Sequence, residues 1–170
     1  INDALSLGFD IGSISINTVV MDSHNNIIEN RYDHCQGKPF VKLRNIINEL
    51  EAKYSAKRFV KLGFTGTGGK LAAGLLGGKY INEIIAQSTS VAKLYPQVRT
   101  IFEMGGEDSK LIFMKGTKGG ASRLSDFNMN TLCAAGTGSF LDQQAKRVGV
   151  SIEEEFGALA LQSETPPRIA

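Results

Sequence analysis

The sequence predicts an α/β fold in which a three-strand meander occurs twice. Three observations carry that reading. Strand-like alternation and β-branched clusters run through residues 5–33 and return over 100–129. Helical periods follow each copy. Glycine, 19 of the 170 residues, gathers at Gly8 to Gly12, Gly63 to Gly78, Gly105-Gly106 and Gly136 to Gly138. Clustered glycine marks places where the backbone turns sharply or approaches a ligand closely.

The elements follow in order. Residues 5–12 alternate as a strand, and 16–22, Ile-Asn-Thr-Val-Val-Met-Asp, form a second. The turn cluster Ser23-His24-Asn25-Asn26 sends a third strand back over 27–33. Leu43, Ile46, Ile47, Leu50 and Tyr54 then share one face of a helix, with Pro39 just upstream. Residues 58–65 read as a strand that ends in Gly66-Thr67-Gly68-Gly69. Helices are expected near 69–76 and 81–95, the second closed by Pro96. The meander restarts with strands at 100–104, 109–114 and 121–129. A helix over about 139–148 follows, then one over 151–162 with Ser151 as N-cap and Glu154 completing a capping box. The repeat divides the chain at 98/99. Residues 1–98 form a first subdomain, and 99–170 open a second, incomplete one.

Hydrophobic residues make up 42% and charged residues 21%, the composition of a globular protein, with a net charge of +2. No charge run suggests a nucleic-acid surface, so no nucleic-acid partner is expected. No apolar stretch is long enough to span a membrane, so no membrane partner is expected either. No leader peptide is visible at Ile1, and both ends read as cut from something longer. Cys35 and Cys133 are too few for a disulfide framework, which points to a reducing, cytoplasmic setting.

Two corners point to phosphate chemistry. In Gly8-Phe9-Asp10-Ile11-Gly12-Ser13 a carboxylate ends a buried strand. Burying Asp10 without a partner is costly, and Mg²⁺ or its waters satisfy such a group. Gly12 and Ser13 offer backbone N–H groups to a phosphate. In Glu103-Met104-Gly105-Gly106-Glu107-Asp108-Ser109-Lys110, glycines at a hairpin bend again expose donors and Asp108 supplies an acid. Either corner alone reads as an ordinary turn. Both, at one position of a repeated meander, read as a clamp on a nucleotide. Rival motifs fail. Phe64 to Leu71 lacks the first glycine and the final hydroxyl residue of a P-loop, and no dinucleotide fingerprint follows the first strand. Gly66 and Thr67 sit in a strand-to-helix loop, which is either a phosphate-facing rim or only a tight connection.

Cys133 stands before Ala134-Ala135-Gly136-Thr137-Gly138-Ser139 and a helix start. A helix N-terminus favours a thiolate, which suits a metal ligand or a nucleophile. One cysteine cannot hold an iron–sulfur cluster, which takes four thiolates. A symmetric dimer with two per subunit supplies them. Cys35 reads as incidental, and His24 and His34 as surface turn residues.

The two corners, with Asn128-Met129-Asn130-Thr131-Leu132-Cys133-Ala134-Ala135-Gly136-Thr137-Gly138-Ser139-Phe140-Leu141-Asp142, resemble the signatures of the 2-hydroxyacyl-CoA dehydratase activators. The benzoyl-CoA reductase ATPase subunits belong to the same BadF/BadG/BcrA/BcrD-type family, within the actin-like superfamily. The resemblance implies an actin-like, ribonuclease H-like ATPase fold with its second half truncated here. It implies an ATP/ADP and Mg²⁺ site, with Asp10 and Asp108 catalytic and Asp10 on the magnesium. Gly12, Ser13, Gly66, Thr67, Gly105, Gly106, Glu107, Gly136, Thr137 and Gly138 would line the cofactor sites. It further implies a homodimer sharing one [4Fe–4S] cluster, with Cys133 as its first ligand and the second cysteine beyond this chain. The electron would come from ferredoxin or flavodoxin and pass to an acyl-CoA dehydratase or reductase component. Two residues depart from the family pattern: Glu103 stands where Asp is usual and Glu107 where Gln is usual. The chain by itself is expected to lack turnover.

Two other functions stay open on the residues. One is an actin-like kinase of a sugar or small acid, with Asp108 as its carboxylate. The other is a non-catalytic nucleotide-binding module, which Glu103 and Glu107 favour.

Overall fold

The computed structural model describes residues 4–55, 58–117, 120, 122–130 and 137–168. Chain order gives β1 (Leu5–Ile11), β2 (Ser15–Met21), β3 (Ile27–His34), α1 (Pro39–Tyr54), β4 (Phe59–Thr65), α2 (Gly69–Leu76), β5 (Lys79–Tyr80) and α3 (Glu83–Leu94). Then come β6 (Thr100–Met104), β7 (Ser109–Gly116), β8 (Ser122–Met129), α4 (Gly138–Val148), a π-helical turn (Ile152–Phe156) and α5 (Gly157–Leu161).

Two compact units result: Ile1–Thr100 with Ile112–Asp126, and Ile101–Leu111 with Phe127–Ala170. In the first, a five-stranded sheet runs in the order β3-β2-β1-β4-β5. The meander β1-β2-β3 is antiparallel, and β4 returns parallel to β1 after the α1 crossover. The alternation that predicts β1 is the alternation of its burial. Leu5, Leu7, Phe9 and Ile11 point inward, joined by Ile16 and Val20 of β2. The predicted helical face of α1, Leu43, Ile46 and Leu50, closes over this core with Ala72 and Ala73 of α2. Each large side chain so buried contributes about 1.5–3 kcal/mol of hydrophobic stabilisation. Phe9 stacks on Phe64 at 5.5 Å, tying β1 to β4 in the same layer.

Strands β6, β7 and β8 form a second, three-stranded sheet in that order, as the restarted meander predicts. Pro39 takes the first turn of α1, where its missing N–H is harmless. The helix expected from 81 begins at Glu83, because Asn82 takes the N-cap and accepts from the Ile84 N–H at 3.0 Å.

Two local readings change. Strand β5 was not expected; its two residues pair with Gly63 and Phe64 but are too short to show alternation. The last helix opens with a π turn rather than an α turn. Ser151 is indeed the N-cap and accepts from the Glu154 N–H at 3.2 Å. The reciprocal bond comes from Glu155, whose Oε2 accepts from the Ser151 N–H at 2.7 Å. The wider turn brings Glu155, one residue later than Glu154, back over the cap.

Candidate functional site

The first corner lies in the first unit. Asp10 stands near the carboxyl end of β1, in register with Asn17 of β2 and Thr65 of β4. Residues in register share a sheet face, so three polar side chains line up there. Asn17 Nδ2 donates to Asp10 Oδ2 at 3.5 Å. Thr65 Oγ1 is buried with no hydrogen-bond partner among the described residues. The Gly12 N–H closes the turn on the Ser15 carbonyl at 2.9 Å, so that amide is already engaged. Ser13 is exposed.

The loop after β4 folds onto this strand end. The Gly68 N–H donates to the Ile11 carbonyl at 2.9 Å. Gly66 has φ +84°, and a Cβ there would lie 2.5 Å from Ile11 O and 2.6 Å from Asp10 Oδ1. Only glycine satisfies both the backbone angle and the approach. Thr67, at the tip, is exposed. The loop lays backbone against the Asp10 carboxylate and delivers the chain into α2. Magnesium is commonly held by one or two carboxylates while keeping waters and phosphate oxygens. Asp10, flanked by an orphaned hydroxyl and an amide, fits that donor set.

The second corner lies in the second unit. The Gly105 N–H donates to the Asp108 carbonyl at 2.8 Å, closing a hairpin with Gly106 and Glu107 at its tip. That pairing sets Glu103 across from Lys110. The Lys110 ammonium, on a side chain only 6% exposed, donates to Glu103 Oε2 at 2.9 Å and to Asp108 Oδ1 at 2.6 Å. Beside it lies an open groove of about 520 Å³, with Phe102, Met104, Leu111 and Met129 among its walls.

Behind the corner, α4 supplies a latch. The Gly138 N–H donates to the Gly105 carbonyl at 2.8 Å, and the Ser139 N–H to the Gly106 carbonyl at 3.0 Å. Thr137 Oγ1, fully buried, donates to the same Gly106 carbonyl at 3.0 Å, as does Ser139 Oγ. Each peptide plane carries its C=O and the next N–H in opposite directions. With these carbonyls held by α4, the N–H groups of Gly106 and Glu107 are turned away from it. The Thr137 hydroxyl and the Gly138 amide therefore orient the corner from behind.

Cys133 and Gly136 lie outside the described residues. Cys35 is 3% exposed within the apolar core, where burial pushes its thiol up in pKa. Sequence reasoning missed Asn17, Thr65, Lys110 and Ser139. The signal for Asn17 and Lys110 was present in hairpin register, since each sits across its turn from an acid already singled out.

The antiparallel meander with its parallel return, and the glycine corner at its strand end, define an actin-like α/β ATPase fold. The chain belongs to the BadF/BadG/BcrA/BcrD ATPase family, whose pattern matches residues 7–169. It is 29% identical over 167 residues to the 2-hydroxyisocaproyl-CoA dehydratase activator of Clostridioides difficile, covering 97% of this chain and 60% of that protein. It is 25% identical over 155 residues to the (R)-2-hydroxyglutaryl-CoA dehydratase activating ATPase of Acidaminococcus fermentans, covering 90% and 58%. The structure of the Clostridium difficile activator with bound ADPNP superposes with a TM-score of 0.80 at 28% identity, over 98% of this chain and 60% of that one. The chain thus spans about three-fifths of the length of these relatives.

Proposed function

We propose that this chain carries the phosphate-handling part of an ATP-hydrolysing activator for an acyl-CoA dehydratase or reductase. The observation that carries the reading is the Gly66 backbone packed against Asp10 at the end of β1, in a family of ATPases. Nothing but glycine fits there, and the arrangement lays the loop backbone directly beside the carboxylate. The dehydratase partner is supported by the activator names of the relatives.

Each corner has a defined role in this reading. Asp10, with Asn17 and Thr65 beside it, orients the waters of a nucleotide-bound Mg²⁺, which would supply charge neutralisation at the phosphates. Thr67 and Ser13 reach phosphate oxygens from exposed loop tips. The Gly106 and Glu107 amides, turned outward by α4, donate to phosphate oxygens at the second corner. Asp108 accepts a proton from the attacking water, and the products are ADP and inorganic phosphate. Residues 1–98 act as a first actin-like subdomain and 99–170 as the start of a second. In the whole protein, Cys133 is proposed as one of two ligands from each of two identical subunits to a [4Fe–4S] cluster. That cluster would supply the low-potential electron, replenished by a ferredoxin- or flavodoxin-type donor. The setting is proposed to be cytoplasmic.

The test uses the whole protein that carries this chain, purified without oxygen. ATP hydrolysis, bound iron and sulfide, and electron delivery to an acyl-CoA dehydratase are measured together. Cys133→Ala should lose the iron and the electron transfer while keeping nucleotide binding. An iron-free wild type that phosphorylates a hydroxyl compound instead would establish the kinase reading in its place.

A further inference from the structure

We infer that Lys110 is the built-in counter-cation of the second corner, a positioning residue that makes this acid-rich hairpin able to accept phosphate. The inference rests on the reading of that hairpin as a phosphate site and adds a residue to it.

Glu103, Glu107 and Asp108 place three acids in six residues beside the two glycines. A phosphate chain approaching them meets like charge, which opposes binding. Lys110 answers this from inside. Its side chain is 6% exposed, and its ammonium bridges Glu103 Oε2 at 2.9 Å and Asp108 Oδ1 at 2.6 Å. A lysine buried to this degree is stable only when paired, so the two acids and the cation hold one another. The bridge also fixes geometry. With Oδ1 of Asp108 bound to Lys110, the carboxylate is tied at one oxygen while its side chain remains 39% exposed. Glu103 is drawn back from the tip by the same ammonium. A Cβ at Gly105 would lie 3.0 Å from Asp108 Oδ1 and 3.3 Å from Glu103 Oε1, so both carboxylates pack against Gly105, the residue just before the Gly106 and Glu107 amides that are to donate to phosphate. Lysine suits the position as a compact point charge with several donors.

The experiment compares wild type, Lys110→Met, Glu103→Gln and the double variant in the whole protein. A fluorescent non-hydrolysable ATP analogue with Mg²⁺ is titrated, with circular dichroism as the check on folding. Lys110→Met should weaken binding by at least about tenfold, about 1.4 kcal/mol, because the acids it neutralises then repel the phosphates. Adding Glu103→Gln should recover most of that loss, because one acid leaves with the cation. A purely structural lysine shows its loss and rescue in the unfolding midpoint and leaves the affinity of the folded variants unchanged. A folded Lys110→Met that binds within about twofold of wild type overturns the inference, a difference under about half a kcal/mol. So does a folded double variant that binds no better than the single one. If Lys110→Met does not fold, Glu103→Gln decides: it should bind the analogue more tightly than wild type, and equal or weaker binding overturns the inference. A wild type that binds no nucleotide overturns the nucleotide reading itself, and the inference with it.

Discussion

Gly66 and Asp10 approach so closely that a methyl group on Gly66 would sit 2.6 Å from Asp10 Oδ1. The same methyl would lie 2.5 Å from the Ile11 carbonyl, a backbone atom that cannot swing aside, and φ is +84°. The left-handed angle alone costs a side chain about 1–2 kcal/mol. Gly66→Ala should therefore destabilise the chain by at least about 2 kcal/mol, the range of strained backbone sites. It should also displace the loop from Asp10 and weaken nucleotide binding. Gly63→Ala, where a Cβ meets nothing within 4 Å, is the control and should leave the urea midpoint nearly unchanged. Equal midpoints for the two variants would contradict the close packing.

How legible these features were depends on their range. Strands β1 and β2 announce themselves because one face is buried, so Leu5, Leu7, Phe9 and Ile11 alternate with less buried neighbours. Helix α1 does so because Leu43, Ile46 and Leu50 keep a helical period. Strand β5 carries two residues and no period, and it exists through its pairing with Gly63 and Phe64. The acids Asp10 and Asp108 were readable from adjacent glycines. Their neighbours Asn17 and Lys110 were readable only through hairpin register, because Asn17 meets Asp10 and Lys110 meets Glu103 seven residues away across a turn. The carbonyl latch from Gly105 and Gly106 to α4 joins residues more than thirty apart, which no local pattern carries.

That latch makes a second prediction. Thr137 Oγ1 donates to the Gly106 carbonyl at 3.0 Å from a fully buried position. Thr137→Val keeps the shape and removes the donor. Stability should fall by about 1 kcal/mol, the net worth of one such hydrogen bond. Because the Gly106 carbonyl loses one of its three donors and is held only by Ser139, affinity for an ATP analogue should fall as well. Thr137→Ser keeps the donor and should retain the affinity, which isothermal titration of the three proteins checks. A Val variant that binds as the wild type does would show that the corner is not oriented from behind.

Acid should loosen the first unit through β3 and α1. The Lys53 ammonium and the Tyr54 hydroxyl hold the Glu29 carboxyl below the usual glutamate range, against a smaller opposing push from burial. The Arg31 guanidinium, helped by Lys42, holds Asp33 below the usual aspartate range in the same way. A carboxyl whose folded-state pKa is depressed stabilises the fold above its unfolded value, and that contribution disappears as pH falls through the folded one. The urea midpoint should therefore decline as pH drops below about 4.3, the ordinary glutamate value. Glu29→Gln with Asp33→Asn should start from a lower midpoint at neutral pH and decline less on acidification. Parallel curves for the two proteins would rule these pairs out as a source of the acid sensitivity.

The role given to Asp10 can be isolated from its place in the fold. Its side chain stands between Asn17 and Thr65 in register, at a strand end rather than in the aliphatic core. Asp10→Asn keeps the size and removes only the charge, so the unfolding free energy should change by no more than about 0.5 kcal/mol. A magnesium ion that keeps its waters is held by the carboxylate through charge-assisted hydrogen bonds, which an amide cannot replace. In the wild type, affinity for an ATP analogue should rise when Mg²⁺ is added to a chelated sample. In Asp10→Asn the analogue should bind with nearly the same affinity with and without the metal. If the variant keeps the full magnesium response, the ion is held elsewhere, and the three polar side chains at the end of β1 serve the sheet alone.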